Sequence, residues 1–242
     1  MILWPFLQLC EITKMGFDTM KISKKFLVIV VLFLSSILDS QARAECLTQT
    51  AAQALLTLRE LDLAARLAEG DSDKRADAAT QGLEVSNCCL AVFPNDVGCT
   101  FYRGVHQGWL LDARIKNVKA GLQAMKADFV AAENRQPGFE GGAPARALGN
   151  LYLSLPVLPL FGREFTRDLG LAQSYADKAM ELSPKNPENL QLMGELALKR
   201  GDKIKAAQSF AEGLAVLSVP KNLTALQHQI DGDLVKLLKK TQ

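Results

Sequence analysis

The sequence predicts an all-α chain of antiparallel helix pairs stacked into a solenoid, and three observations carry that prediction. The composition favours helix: alanine-rich stretches such as Ala51-Ala52-Gln53-Ala54 and Ala76-Asp77-Ala78-Ala79 recur, aromatic residues make up 7% of the chain, and β-branched residues cluster only near the N-terminus. Small residues return at a fixed interval, with Ala172 and Ala206 34 residues apart and Ala179 and Gly213 equally spaced. Thirty-four residues is the tetratricopeptide period. Finally, residues 222–240 place Leu223, Leu226, Ile230, Leu234 and Leu237 at helical spacing, with Lys236, Lys239 and Lys240 near the end, where cations suit the helix dipole. A solenoid needs such a cap to cover its last pair. The expected fold class is therefore an all-α, tetratricopeptide-like antiparallel helix-pair solenoid with a C-terminal capping helix.

The 242 residues divide into a leader and one repeat domain. From Met20, the expected true start, the chain carries Lys21, Lys24 and Lys25, an apolar run over residues 26–38, and then Ala42-Arg43-Ala44. These are the parts of a secretory signal peptide, and the run is shorter than the roughly 20 residues that cross a bilayer. Residues 1–44 are read as an upstream extension plus a cleavable signal, with cleavage after Ala44 and the protein exported to the periplasm. Glu45 before Cys46 departs from the small residue that a lipid-modified cysteine requires. The leader holds five basic and three acidic residues, leaving 23 of each in residues 45–242. A neutral body argues against nucleic acid and anionic membrane as partners.

Within residues 45–242, helical patterns run over about residues 47–68, 74–92 and from 97 onward, separated by Gly70-Asp71-Ser72-Asp73 and Pro94-Asn95-Asp96. Cys46, Cys88, Cys89 and Cys99 then fall at one end of the array, and an even number in an exported chain predicts disulfides. The adjacent Cys88 and Cys89 are poorly placed to bond each other. One is expected to pair with Cys46 and the other with Cys99, in either order.

Phe101-Tyr102-Arg103-Gly104 opens a further first helix running to about residue 117. The next helix spans roughly residues 118–134 and ends before Pro137-Gly138. Leu148-Gly149-Asn150-Leu151-Tyr152, with Ala172, Ala179 and Pro184, forms the third pair; Met193-Gly194, Ala206 and Phe210 form the fourth. Small residues suit points where two helices cross closely. The expectation is about four pairs plus the cap, stacked as one elongated domain. Gly149 to Ala172 spans 23 residues where Gly194 to Ala206 spans 12, so residues 153–167 contain an insertion. It carries Pro156, Pro159 and Gly162 among Leu155, Val157, Leu158, Leu160 and Phe161, and it either packs under a neighbour or forms a partner or ligand surface.

No catalytic or metal-binding constellation is present. His106 and His228 are far apart, and Asp231 beside His228 has no second ligand near it. Residues 142–149 lack the glycine spacing and the lysine of a phosphate loop. Asn222-Leu223-Thr224 matches a glycan acceptor triplet, a pattern common by chance. The chain is read as a non-enzyme with no cofactor, no metal, no nucleic-acid partner and no stable membrane insertion.

The stretch Gly141-Gly142-Ala143-Pro144-Ala145-Arg146-Ala147-Leu148-Gly149-Asn150-Leu151-Tyr152, followed by the proline-interrupted insertion and an alanine-rich helix ending Leu182-Ser183-Pro184-Lys185-Asn186-Pro187, resembles the T-component family. These are periplasmic tetratricopeptide proteins associated with tripartite ATP-independent periplasmic (TRAP) transporters. The likeness covers roughly residues 75–218. It implies a partner in the periplasmic solute-binding protein of such a transporter, assembly as a homo-oligomer, and help in delivering apolar or amphipathic organic ligands. Arg146 is the motif residue to carry over, either paired within the repeat or part of a groove with Tyr152. Trp109 has the same two readings. With Leu158, Leu160 and Phe161 of the insertion, Arg146 and Tyr152 form the expected binding set. The alternative is a general cell-envelope scaffold of tetratricopeptide type.

Overall fold

A computed structural model describes residues 50–219 and 222–242. The leader and Cys46 lie outside them. The residues from Thr48 to Gln242 form one compact unit. Its described part contains nine α-helices and no strand: α1 (Ala51–Leu67), α2 (Ser72–Val92), α3 (Val97–Ala113), α4 (Val118–Arg135), α5 (Ala143–Ser154), α6 (Leu169–Leu182), α7 (Pro187–Lys199), α8 (Lys203–Leu217) and α9 (Ala225–Lys239). Consecutive helices pack as α1/α2, α3/α4, α5/α6 and α7/α8, with α9 against α8. The fold is the helix-pair solenoid the sequence predicts.

Each helix start has a local cause. Thr50, Asp71, Asp96, Asp168, Asn186, Asp202 and Thr224 each accept a hydrogen bond from a backbone N–H of the first turn, satisfying donors that a helix end otherwise leaves open. The glycan-like triplet is explained in this way: Thr224 and Gln227 form a reciprocal capping box at the start of α9. α3 stops at Ala113, short of the expected residue 117, because Arg114 turns extended (φ −139°), and Asn117, left-handed at φ 50°, precedes α4 without a side-chain cap. Gly141 and Gly142, at φ 67° and 87°, make the turn into α5. A Cβ on Gly142 would lie 3.1 Å from the Ala179 Cα, so space and backbone both demand glycine there.

The small residues of the repeat sit where helices cross. Ala172, Ala179 and Ala206 are fully buried. A Cβ on Gly104 would lie 2.7 Å from the Phe129 ring, one on Gly149 2.7 Å from Leu192, and one on Gly194 2.2 Å from the Phe210 ring. Each glycine is thus the socket for a large side chain of a neighbouring helix, which lets the backbones approach and fills the core at crystal-like density.

In one respect the array departs from the elongated stack expected. α9 returns to α1, where Lys236 Nζ lies 3.1 Å from Glu69 Oε2, and Arg66 of α1 reaches Glu188 of α7 at 3.6 Å. Four pairs therefore bend enough to bring the first helices of the first and last pairs together on one inner face.

Cys89 and Cys99 are bridged, with Cα atoms 6.2 Å apart. This joins the end of α2 to the start of α3 where the sequence places the cluster. Cys88 is also disulfide-bonded. Cys89, Asp96 and Cys99 form a cluster of potential metal ligands. Two of them are spent in the bridge, and Asp96 Oδ1 accepts the Cys99 N–H at 2.8 Å.

Two outcomes follow from this packing. Gly194→Val drives a branched side chain into Phe210 and should cost roughly 1–3 kcal/mol or more. Gly232→Ala, with nothing within 4 Å of the added Cβ, should stabilise by about 0.5–1 kcal/mol through helix propensity. Thermal unfolding followed by circular dichroism reads both, and an unshifted midpoint for Gly194→Val would contradict the socket. For the cysteines, peptide mapping under non-reducing conditions should recover a Cys89–Cys99 crosslink, and its reduction should remove about 3 kcal/mol of stability. Free thiols at both positions in freshly isolated protein would refute the bridge.

Candidate functional site

The first helices α1, α3, α5 and α7 line a cavity of about 250 Å³ on the inner face. Its floor is apolar, built from Phe101, Val105, Ala143, Ala147 and Leu192; its rim is polar, with Arg66, Arg146, Asn150, Ser154, Glu188, Gln191 and Glu195. The small residues on α5 are what leave the space open. Ala143 and Ala147 face it where longer side chains would fill it.

Arg146 holds this site together. It is 8% exposed, and its Nη1 donates to Asn189 Oδ1 and its Nη2 to Glu188 Oε2, both at 2.8 Å. Asn189, fully buried, places its Nδ2 within 3.0 Å of the carbonyl oxygens of Gly141, Ala179 and Ser183. It thereby fixes the end of α6 and the turn before α5. Pro187 and the Asn186 cap start α7 so that Glu188 and Asn189 occupy its first turn. Both readings of Arg146 meet here: it is paired within the repeat and it lines the cavity.

From Glu188 the chain of charges continues into the first pair. Arg66 Nε donates to Asp62 Oδ2 at 2.9 Å, and Trp109 Nε1 donates to Asp62 Oδ1 at 2.7 Å. Burial alone would lower the Arg66 pKa, but the Asp62 and Glu188 carboxylates more than offset it and raise it. Trp109, half-buried, has the guanidinium carbons of Arg66 and Arg75 at 5.8 and 5.4 Å from the centre of an indole ring. It is a polar anchor between α1 and α3 rather than a plain core residue. A second node lies beside it: Glu140, in a left-handed conformation at φ 45°, accepts from Arg59 Nη2 at 2.6 Å and from Tyr102 Oη at 3.0 Å. These bonds hold a backbone geometry that a non-glycine residue otherwise avoids.

The other residues of the expected binding set lie elsewhere. Tyr152 is buried and stacks on Tyr175 with centroids 6.0 Å apart, with Lys126 Nζ 5.5 Å from its ring. It does not share the cavity with Arg146, because six residues along a helix place the two on different faces. The insertion is split. Leu155 and Phe165 are buried and Phe161 packs against the core, whereas Val157, Leu158 and Leu160 are 69%, 65% and 66% exposed. Phe161 therefore belongs with the packed base, and Leu158 and Leu160 with the exposed tip.

Sequence reading missed Arg66, Glu188, Gln191 and Glu195. The spacing 188, 191, 195 is a one-face helical pattern that marks a polar stripe on α7, but only the bend of the array shows that Arg66 completes it. His106 is buried apart from this site, and His228 is exposed on α9. His106 Nε2 lies 3.2 Å from the Leu58 carbonyl oxygen, and its Nδ1 is buried without a hydrogen-bond partner.

No family model matches the chain, and no curated protein matches its sequence. Among the described residues no helix is long and apolar enough to cross a membrane.

The buried His106 and the half-buried Glu195 give pH dependences of opposite signs. Burial lowers the His106 pKa below its ordinary value, with Asp62 pulling the other way. Unfolded chain then takes up a proton near pH 6.5 that folded chain refuses, so stability is complete above about pH 6.5 and falls below it by at most about 1.4 kcal/mol per pH unit. Glu195 is raised, chiefly by burial. Its contribution is complete below about pH 4.5 and is lost as the pH rises through its folded value. His106→Gln should therefore flatten the loss of melting temperature between about pH 6.5 and 5, and Glu195→Gln should not. An unchanged slope in His106→Gln would contradict this assignment.

Proposed function

We propose that this chain is a non-enzymatic, exported repeat protein of the periplasm that docks the solute-binding protein of a TRAP-type uptake system. The observation that carries the reading is the tip of the insertion between α5 and α6. Val157, Leu158 and Leu160 stand well exposed within four residues, on a loop whose Leu155 and Phe165 are firmly buried. A rigid base presenting a cluster of exposed apolar side chains suits burial of a partner's apolar surface, at roughly 25 cal/mol per Å². The family-like stretch at residues 141–152 leads directly into it. A disulfide-bonded cysteine pair fits an exported protein.

The alternative, a general cell-envelope scaffold, draws on a second apolar groove lined by Pro184, Leu190, Ala215, Val216 and Val219, with Val219 80% exposed. Surface plasmon resonance against a purified TRAP-class solute-binding protein separates the two. Replacing Val157, Leu158 and Leu160 together with Ser should leave the helical circular dichroism intact and abolish binding, while Val216→Ser should leave binding unchanged. With 23 acidic and 23 basic residues after the leader, added salt should weaken the complex only modestly. A folded triple variant that binds with unchanged affinity would overturn the docking surface.

A further inference from the structure

The inner cavity has two chemically different ends. At one, Arg146 and Arg66 face Glu188, and Asp62 holds Arg66 from behind, so two cations meet two carboxylates. At the other stands Glu195. Among the described residues its hydrogen bond comes from Gln191 Nε2 at 2.8 Å, one turn back on the same helix, and no Lys or Arg lies within ion-pair distance. Glu188 and Glu195 are seven residues apart on α7, which separates the two ends by about 10 Å.

The register of α5 against α7 supplies the rest of the second end. Arg146 lies opposite Asn189 and Gly149 opposite Leu192, both 43 residues on, so the two helices run side by side in parallel. That register carries the cavity-lining Asn150 and Ser154 towards Glu195. A carboxylate, an amide and a hydroxyl line one end of a partly open cavity, with the apolar Ala147 and Leu192 beside them, and no Lys or Arg lines the cavity at that end. Burial raises the Glu195 pKa, and the nearby Lys240 and Asp233 act on it in opposite senses. A half-desolvated carboxyl with no cation in direct contact is costly, and a cation arriving at it lowers that cost.

We infer that this cavity binds a small organic ammonium ion, with its nitrogen at Glu195 and its aliphatic part against Ala147 and Leu192. A volume of about 250 Å³ admits a small molecule and excludes a peptide helix or a folded partner. The site is separate from the insertion tip, so it neither requires nor competes with the docking proposed above.

Isothermal titration calorimetry of the purified chain alone tests it, with n-hexylamine as the probe and hexanoate and hexan-1-ol as size-matched controls. Hexylamine should bind saturably at a single site, and both controls should bind at least about tenfold more weakly. Glu195→Gln, which keeps the shape and the Gln191 contact, should keep its melting temperature and lose hexylamine affinity by about tenfold or more. Should that variant fail to fold, Ser154→Leu, an exposed change at the same end, should block binding in its place. No saturable binding of hexylamine at millimolar concentration, hexanoate binding as tightly as the amine, or an unchanged affinity in folded Glu195→Gln would each overturn the site. Because no partner protein is present, none of these results bears on the insertion.

Discussion

A chain of charge-assisted hydrogen bonds and ion pairs runs from Trp109 to Asp62, Arg66, Glu188, Arg146 and Asn189, and it touches every first helix: α3, α1, α7 and α5. In a repeat array, packing joins each helix chiefly to its immediate neighbours. Across the inner face this polar line reaches from the first pair to the fourth, and the Lys236–Glu69 pair ties the cap α9 to the first pair at the rim. Asp62, Arg146 and Asn189 are buried, whereas Arg66, Glu188 and Trp109 are half-buried. At the buried Arg146, losing a partner costs about 3–5 kcal/mol, far more than a surface ion pair. The bend of the array, the cavity and the placing of α9 beside α1 all depend on that line being complete.

The same line explains why the cavity is open yet structured. Long side chains tied to one another at its rim cannot collapse into it, and Ala143 and Ala147 on α5 supply no bulk to fill it. The glycine sockets act at the other level. They set how closely helices approach, with Phe129, Leu192 and Phe210 seated over Gly104, Gly149 and Gly194. Packing thus fixes the helix pairs, and charge fixes how the pairs curve.

Much of the first level was legible in the sequence, because it is local and periodic. The spacing of Ala172, Ala179, Ala206 and Gly213 reports helix crossings directly. The second level was not legible. Arg66 and Glu188 lie 122 residues apart, and nothing in either neighbourhood announces the other until the array bends. Arg146 stood out in its motif, but its partners did not. The insertion shows the same limit: its length and prolines were plain, while the division between buried Leu155 and exposed Leu158 follows no period. Tyr152 was grouped with Arg146 by closeness in sequence, and the helical repeat separates them.

The central claim, that the inner-face charges hold the curvature, is tested most directly by a distance between the first and last pairs. Spin labels at the exposed positions 60 on α1 and 199 on α7 would be measured by double electron–electron resonance in the intact chain and in Arg66→Ala/Arg146→Ala. The account predicts one narrow distance distribution in the intact chain and a broader, longer one in the double variant, with helical content preserved. A distribution equally narrow and unshifted in the folded double variant would show that packing alone sets the curve, and would contradict the account.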